Sequence, residues 1–323
     1  MKLKIFSVLF CLQMGLLPRA SYAAPILRAS SAAPVRLNLN WKAEPQFGGF
    51  YEAARTDKFK QNQLDVQILE GGSGTPTVQM LQNGQTDYAI VSAEEILLAN
   101  ERDPKKTVTA VFAVFQKNPQ IIMTRQDNNL NSIQDIFKSD GVLAVQQGLS
   151  YFRFLENKLG KPKVKIVPYA GGIGIFLQNK VYSQQGFATS EPLSAEKAGV
   201  KPKVFAVAEE GFNPYTTVLA VRSADLVAQK PVITKMVASV RSGWSDYLKN
   251  SSQTNGIMMK LNPSMDAEAF QKSADAQRPY IEVGPGSKLG EMTEARWKLL
   301  QDQLVELKIL KTKQKLSEVF LNL

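Results

Sequence analysis

The sequence predicts an α/β protein built as two lobes around a cleft, and three observations carry that prediction. The chain has 323 residues, more than a single hydrophobic core usually supports. Short apolar runs of strand character alternate with stretches of helical spacing as far as Val221. Two similar glycine turns, Gly71-Gly72-Ser73-Gly74 and Gly171-Gly172-Ile173-Gly174, recur one in each half of that alternation.

In chain order, Val35 to Trp41 reads as a period-2 strand and Gly49 to about Phe59 as a helix. Leu64 to Leu69 is the next strand. The turn at Gly71–Gly74 leads into a helix that starts at Thr75-Pro76, where proline suits the first turn, and stops at Gly84. Asp87 to Val91, a helix from Ala93 to Asn100 and the strand Val108 to Phe115 complete a first β-α-β-α-β-α-β unit. A second unit follows Gln116-Lys117-Asn118-Pro119. Its strands are Ile121–Thr124, Val142–Val145, Val164–Val167, Gly186–Thr189, Val204–Val207 and Thr216–Val221, and its helices Ser132–Phe137, Tyr151–Leu159 and one after Gly174. The rest is helical, with core-facing stripes at Ile233, Met236, Val237, Val240 and Trp244 and at Trp297, Leu300, Leu304, Leu307 and Leu310. Such alternation implies mainly parallel sheets with helices on both faces and a crevice beyond the carboxyl ends of the strands. The expected organisation is residues 1–23 a signal peptide, 24–33 a flexible tether, 34–118 with 225–323 the first lobe, and 119–224 the second.

Composition excludes whole classes of chemistry. Histidine is absent and Cys11 is the only cysteine, so there is no Ser-His-Asp or Cys-His machinery, no HExxH zinc site and no CxxC pair. No catalytic residue, metal ligand or cofactor site is expected. The amino terminus reads as a secretion signal: Met1 to Lys4 is basic, Ile5 to Leu17 apolar, and Ser21-Tyr22-Ala23 offers small residues for cleavage after Ala23. A periplasmic location follows as an expectation. Cleavage would remove Lys2, Lys4 and Arg19, lowering the net charge from +10 to +7 and leaving no cysteine. The remaining basic residues are dispersed, as at Lys158, Lys161, Lys163 and Lys165, which reads as a solvated face and not a nucleic-acid surface.

One stretch is more specific. Leu39-Asn40-Trp41-Lys42-Ala43-Glu44-Pro45-Gln46-Phe47-Gly48-Gly49-Phe50-Tyr51-Glu52-Ala53-Ala54, with Leu64-Asp65-Val66 and the Gly84 to Asp87 spacing, resembles the first lobe of the SsuA/THI5-like (NMT1-type) substrate-binding proteins. Phe187-Ala188-Thr189-Ser190-Glu191-Pro192 resembles their second-lobe segment, and the likeness covers most of residues 34–225. The resemblance implies a type II periplasmic binding protein: a monomer whose two lobes close on a small-molecule ligand and deliver it to an ABC permease in the inner membrane. Two crossings near Gln116–Ile121 and Asn213–Thr217 would carry the hinge. The family's enzymatic branch, the thiamine-pyrimidine synthases, uses a histidine, a lysine-bound PLP, iron and a cysteine-rich segment. Here Phe47 stands where that histidine would be, and the mature chain has neither histidine nor cysteine.

The expected ligand-binding residues follow from topology and resemblance together. Trp41, at a strand end, is either a core residue or a stacking plate, and the resemblance favours the plate. Phe47 and Tyr51 would extend that wall, although Tyr51 lies on a helix face and could simply pack. Across the cleft stand Ser150, read as a helix cap, Tyr151, Tyr169 before the second glycine turn at Gly171, and Tyr215 near the second crossing. Ser92, Gln116 and Thr189 are hydrogen-bonding groups at strand ends, and Glu44 and Glu191 the acidic candidates. The glycine turns are either simple strand-to-helix turns or sites where backbone N–H groups meet an anion. Aromatic plates with carboxylates suit a flat nitrogen-containing ring, a thiamine-precursor pyrimidine first and a flavin next. The alternatives are an alkanesulfonate, taurine or nitrate receptor of the same fold, a sensor for a membrane receptor, or an enzyme using Glu44, Glu191 and a lysine.

Overall fold

A computed structural model describes residues 34–323 apart from Ser73, Gln147, Val283 and Pro285, so the expected signal peptide and tether lie outside the described residues. The chain runs β1 (Val35–Asn38), a 3-10 turn (Pro45–Phe47), α1 (Gly48–Arg55), α2 (Lys58–Gln61), β2 (Val66–Leu69), α3 (Thr77–Gln82), β3 (Tyr88–Val91), α4 (Ala93–Arg102), β4 (Val108–Phe115) and β5 (Gln120–Arg125). It continues through α5 (Ile133–Lys138), β6 (Val142–Val145), α6 (Ser150–Leu159), β7 (Lys165–Pro168), α7 (Gly174–Gln178), β8 (Tyr182–Phe187), α8 (Glu191–Lys197), β9 (Pro202–Ala206) and β10 (Thr216–Arg222). Six further helices close it: α9 (Asp225–Ala228), α10 (Lys230–Lys249), α11 (Ser252–Leu261), α12 (Ala267–Ile281), α13 (Glu294–Glu306) and α14 (Leu316–Val319).

These elements form two five-stranded sheets, β2-β1-β3-β10-β4 and β7-β6-β8-β5-β9. In the first, β1 runs parallel to β2 and β3, and in the second β6 runs parallel to β7 and β8. The expectation of mainly parallel sheets needs one correction in each lobe. β10 is antiparallel to both β3 and β4, and β5 is antiparallel to both β8 and β9. Each is a strand that has just crossed between lobes, and it enters its sheet against the direction of the β-α-β units already there. The expected second-lobe boundary at residue 224 is corrected for the same reason: β10 belongs to the first sheet, so the chain has returned to the first lobe by Thr216.

Three apolar clusters hold the layers. One lies between the first sheet and α1 and α10, with Phe47, Phe50, Trp244 and Tyr247 fully or nearly fully buried. A second runs from Ile96, Leu97 and Ala113 through Phe212 and Tyr215 to Ile122 and Leu155 and so is shared by both lobes. The third packs Phe176 and Tyr182 against the far face of the second sheet. β4 is buried along its whole length although it ends its sheet, because the carboxyl-terminal segment covers that edge. Leu321 N–H donates to the Ala110 carbonyl at 2.9 Å, and Ala110 bridges to Phe320.

One side chain ties the two crossings together. Arg296, on α13, donates from Nε to the Asn213 carbonyl at 2.7 Å and from Nη2 to Asn213 Oδ1 and the Pro214 carbonyl at 2.9 and 3.1 Å. Its Nη1 donates to the Gln116 carbonyl on the other crossing. The guanidinium also lies 3.9 Å from the centroid of the Tyr215 ring. A planar group with five donors in a fixed fork is suited to bridging such a set of carbonyls. Asn118 completes the join by donating to Asn213 Oδ1 and the Pro214 carbonyl.

Candidate functional site

The carboxyl ends of β1 and of the second-lobe strand β8 bring two acids and two aromatic rings into one electrostatic group. Trp41 is half-buried in the loop after β1, and its indole Nε1 donates to Glu44 Oε1 at 3.0 Å. That loop is held by Gly71, whose N–H donates to the Trp41 carbonyl at 3.0 Å. A Cβ at position 71 would lie 2.2 Å from the Leu39 carbonyl oxygen, so only glycine allows the two loops to meet this closely.

Across the crevice, Glu191 opens α8. Its Oε1 accepts from the Tyr169 hydroxyl at 2.8 Å, and its Oε2 accepts from Phe187 N–H at 2.7 Å. Gly186 makes room for that carboxylate, since a Cβ there would lie 2.9 Å from Glu191 Oε2. Burial pushes the Glu191 carboxyl up, against the pull of the Phe187 and Tyr169 bonds. Burial also pushes Glu44 up to about 7; the Trp41 indole opposes the shift and the negative charge of Glu191 adds to it. The Tyr169 phenol is raised by burial first and then by the charges of Glu191 and Glu44. Trp41, Glu44, Tyr169 and Glu191 are thus one group assembled from both lobes, and two desolvated carboxylates that repel each other favour a partner bearing N–H donors or positive charge.

Several other expected residues lie outside that group. Phe47 has no exposed surface and packs in the first-lobe core, which corrects its placement on the cleft wall. Tyr51 is buried in the same cluster, its hydroxyl unpartnered, its phenol pushed up by burial and then by Glu70. Tyr151 is buried and donates to Gln185 Oε1 at 2.7 Å, inside the second lobe. Ser150 is buried as the first residue of α6, and Leu149 takes the cap position assigned to it. Tyr215 is buried beneath Arg296, and its hydroxyl accepts from Thr293 N–H at 2.9 Å. Ser92 caps α4: its N–H and hydroxyl donate to Glu95 Oε2 at 2.7 and 3.0 Å. Gln116 donates from Nε2 to the Ala113 carbonyl at 2.9 Å at the first crossing. Thr189 is buried between β8 and α8 in sequence, and Gly171 is exposed with φ +79.

The glycine turns lead into short helices. Gly72 N–H is taken by Thr75 Oγ1 at 2.8 Å, and the helices that follow, α3 and α7, have six and five residues. Among the described residues no cluster of acids suited to a metal ion is present, and no helix is long and apolar enough to cross a membrane.

Sequence reasoning missed a bridge between the lobes at the rim. Lys197, at the end of α8, pairs with Asp266 and, at 3.5 Å, with Glu268, at the start of α12. α8 therefore carries a cleft acid at one end and a lobe-to-lobe ion pair at the other. Replacing Lys197 by alanine is expected to weaken ligand capture by no more than about fivefold and to abolish any further weakening on raising salt from 50 mM to about 1 M, because exposed pairs are worth little and are screened. Titrations of both proteins at the two salt concentrations check this; equal salt dependence would remove the pair from closure.

Residues 44–254, more than half of the chain, match the family model described as NMT1/THI5 like. No curated protein matches the chain. Among solved structures, a protein of Bordetella bronchiseptica RB50 is similar with TM-score 0.67 and 14% identity over 90% of this chain and 95% of that one. The periplasmic aliphatic sulphonate binding protein SsuA from Escherichia coli is similar with TM-score 0.67 and 13% identity over 88% and 92%. The alkanesulfonate-binding protein SsuA from Xanthomonas axonopodis pv. citri, bound to MOPS, is similar with TM-score 0.66 and 12% identity over 91% and 100%. Identities this low speak for the fold, the two-lobe α/β architecture of type II periplasmic binding proteins. With that architecture and a family model spanning both lobes, the chain belongs to the NMT1/THI5-like family.

Proposed function

We propose that the protein is the solute-binding component of an ABC importer. It captures a small, flat, nitrogen-containing ligand between its lobes and presents it to a permease in the inner membrane. The observation that carries this reading is the pairing of Glu44 and Glu191 from opposite lobes beside the Trp41 ring. A heteroaromatic amine offers a face to the indole and N–H donors to the carboxylates, which explains why two acids are kept out of water next to each other. A thiamine-precursor pyrimidine fits first and a flavin ring next. A sulfonate or nitrate would bring a negative charge to a pair of acids that already repel, and of the cations only Lys42 acts on Glu44, more weakly than Glu191 does, so the two SsuA neighbours guide the fold and not the ligand. The reading is of a periplasmic, monomeric receptor with no cofactor and no catalytic step, since the group contains acids and aromatic rings but no nucleophile paired with a base.

Thermal shift with 4-amino-5-hydroxymethyl-2-methylpyrimidine, riboflavin and taurine tests the proposal. A ligand at a hundredfold excess over Kd stabilises by about 2.7 kcal/mol, which for a chain of this size is a rise of about 4 °C. The pyrimidine or the flavin is expected to give it. A rise with taurine alone would overturn the assignment, and turnover of either ring compound by the purified protein would replace a receptor with an enzyme.

A further inference from the structure

Two buried amide side chains from the carboxyl-terminal helices hold the loop that carries Trp41 and Glu44. Asn262, which caps the end of α11, is 2% exposed and donates from Nδ2 to the Ala43 carbonyl at 3.1 Å. Gln277, on α12, has no exposed surface and donates from Nε2 to the Pro45 carbonyl at 2.9 Å. With Gly71 N–H on the Trp41 carbonyl, alternate carbonyls of the loop, at 41, 43 and 45, are each taken by a different element. These carbonyls lie past the end of β1, where no neighbouring strand donates to them, and an enclosed carbonyl without a donor is costly.

The donor is what matters at Gln277. Pro45 offers only an acceptor, so the NH2 group must face it, and Gln277 Oε1 is left enclosed with no hydrogen-bond partner among the described residues. A side chain present only to fill space would not bring such an oxygen. Glu44 sits between the two held carbonyls, and its own carbonyl accepts from Phe47 N–H at 2.9 Å, so its main chain is fixed on both sides. This is the residue whose carboxylate accepts from the Trp41 indole.

α12 also reaches the other acid. Its N-cap Asp266 and its Glu268 pair with Lys197, at the far end of the helix that Glu191 opens. One helix thus touches the carriers of both carboxylates. Asn262 and Gln277 both lie beyond residue 254, where the match to the family model ends.

We propose that Asn262 and Gln277 are positioning residues of the binding site. They set the pitch of loop 41–45 so that the Trp41 ring and the Glu44 carboxylate are presented to the crevice together, and they do so without touching the ligand. This rests on the receptor reading above and deepens it: the ligand-facing surface of the first lobe is set by α11 and α12 as well as by the strand ends.

Fluorescence tests the hold without any ligand. Of the three tryptophans, Trp244 and Trp297 have no exposed surface and Trp41 is half-buried, so a quencher in solution reads Trp41. Gln277→Met keeps the length of the side chain and removes the donor. It takes away one enclosed unpaired atom, Oε1, and leaves another at Pro45, so the full chain is expected to fold. The acrylamide quenching constant of the folded variant is expected to rise about twofold or more, and not to rise when the same change is made in a Trp41→Phe background. By calorimetry, 4-amino-5-hydroxymethyl-2-methylpyrimidine is expected to bind the variant about tenfold or more weakly, the scale of one lost charge-assisted bond. A role confined to stability would lower the melting temperature and leave folded-state quenching where it was. Unchanged quenching, a rise that persists without Trp41, or equal binding of the pyrimidine by parent and variant would overturn the proposal. If the parent does not bind the pyrimidine, the receptor reading for that ligand class fails and quenching alone decides for the two side chains. Asn262→Ala carries the same expectations and decides where Gln277→Met does not fold.

Discussion

Exchanging Glu191 for glutamine is expected to weaken capture of an aminopyrimidine by about ten- to a hundredfold, the range of one charge-assisted hydrogen bond. The two oxygens of Glu191 each accept from a donor, Tyr169 O–H at one and Phe187 N–H at the other. Glutamine has one oxygen. If that oxygen keeps the Phe187 bond, its NH2 group faces the phenol, which must turn its hydrogen away, and the group loses the charge that a ring amine would meet. The change should appear as weaker binding by calorimetry and also in the pH dependence of the unliganded protein. Glu44 is raised from the ordinary range of 4.5 to about 7, and Glu191 is raised in the same direction. Between those limits the folded chain holds protons that the unfolded chain has released, so stability falls as pH rises and is not regained above about 7. For Glu44 alone the full shift corresponds to about 3 kcal/mol. Melting temperatures from pH 4.5 to 8 should therefore decline for the parent, and the decline should be shallower in Glu44→Gln and Glu191→Gln. A melting curve that rises across that window would contradict the burial of both acids.

The layered fold was legible because apolar periodicity is a local property. The run Val108–Phe115 is apolar but for Thr109, and it became a strand buried on both faces. β8 was less legible. Its Ser183, Gln184 and Gln185 look like loop residues, yet all three are buried in the second sheet, and the expected strand began only at Gly186. Buried polar residues contradict the period that reveals a strand, and Gln185 earns its place only through Tyr151 and Gln146, which are far away in sequence. The direction of β10 was hidden for a related reason: no local pattern records that a strand has come back from another lobe.

The site was legible where chain direction alone places residues and illegible where side chains choose their own partners. Trp41, Glu44, Tyr169 and Glu191 were all expected near the crevice, and the structure brings these four into one group. Aromatic residues misled more than acids did. Phe47 and Tyr215 sit beside crevice segments in sequence, but an apolar ring gains more from the core than from a wet cleft, and each turns inward.

A constraint set by backbone atoms lies beneath the site in the first lobe, and disturbing it is expected to have a large effect on stability. α1 and α10 cross with their backbones in contact: a Cβ on Gly243 would lie 2.2 Å from the Gly49 carbonyl oxygen, 2.7 Å from Ala53 Cβ and 2.8 Å from Ala53 N. The opposing surface returns the constraint, since a Cβ on Gly49 would enter the Trp244 ring and one on Gly48 the Tyr247 ring. Backbone atoms cannot rotate out of the way, so Gly243→Ala must push one helix off the other in a core packed at crystal-like density. A loss of about 3 kcal/mol or more is expected, at or beyond the upper end for overpacking, read as a fall in the urea midpoint. Gly256→Ala is the control. It sits in α11 with nothing within 4 Å of the new methyl, and it is expected to gain about 0.5–1 kcal/mol from helix propensity alone. Because α1 follows directly from the Trp41–Phe47 loop, Gly243→Ala should also weaken ring binding at Trp41 under conditions where the variant is still folded. Equal urea midpoints for the two glycine variants would show that the helices can separate without cost, and that the contact does not set the position of Trp41.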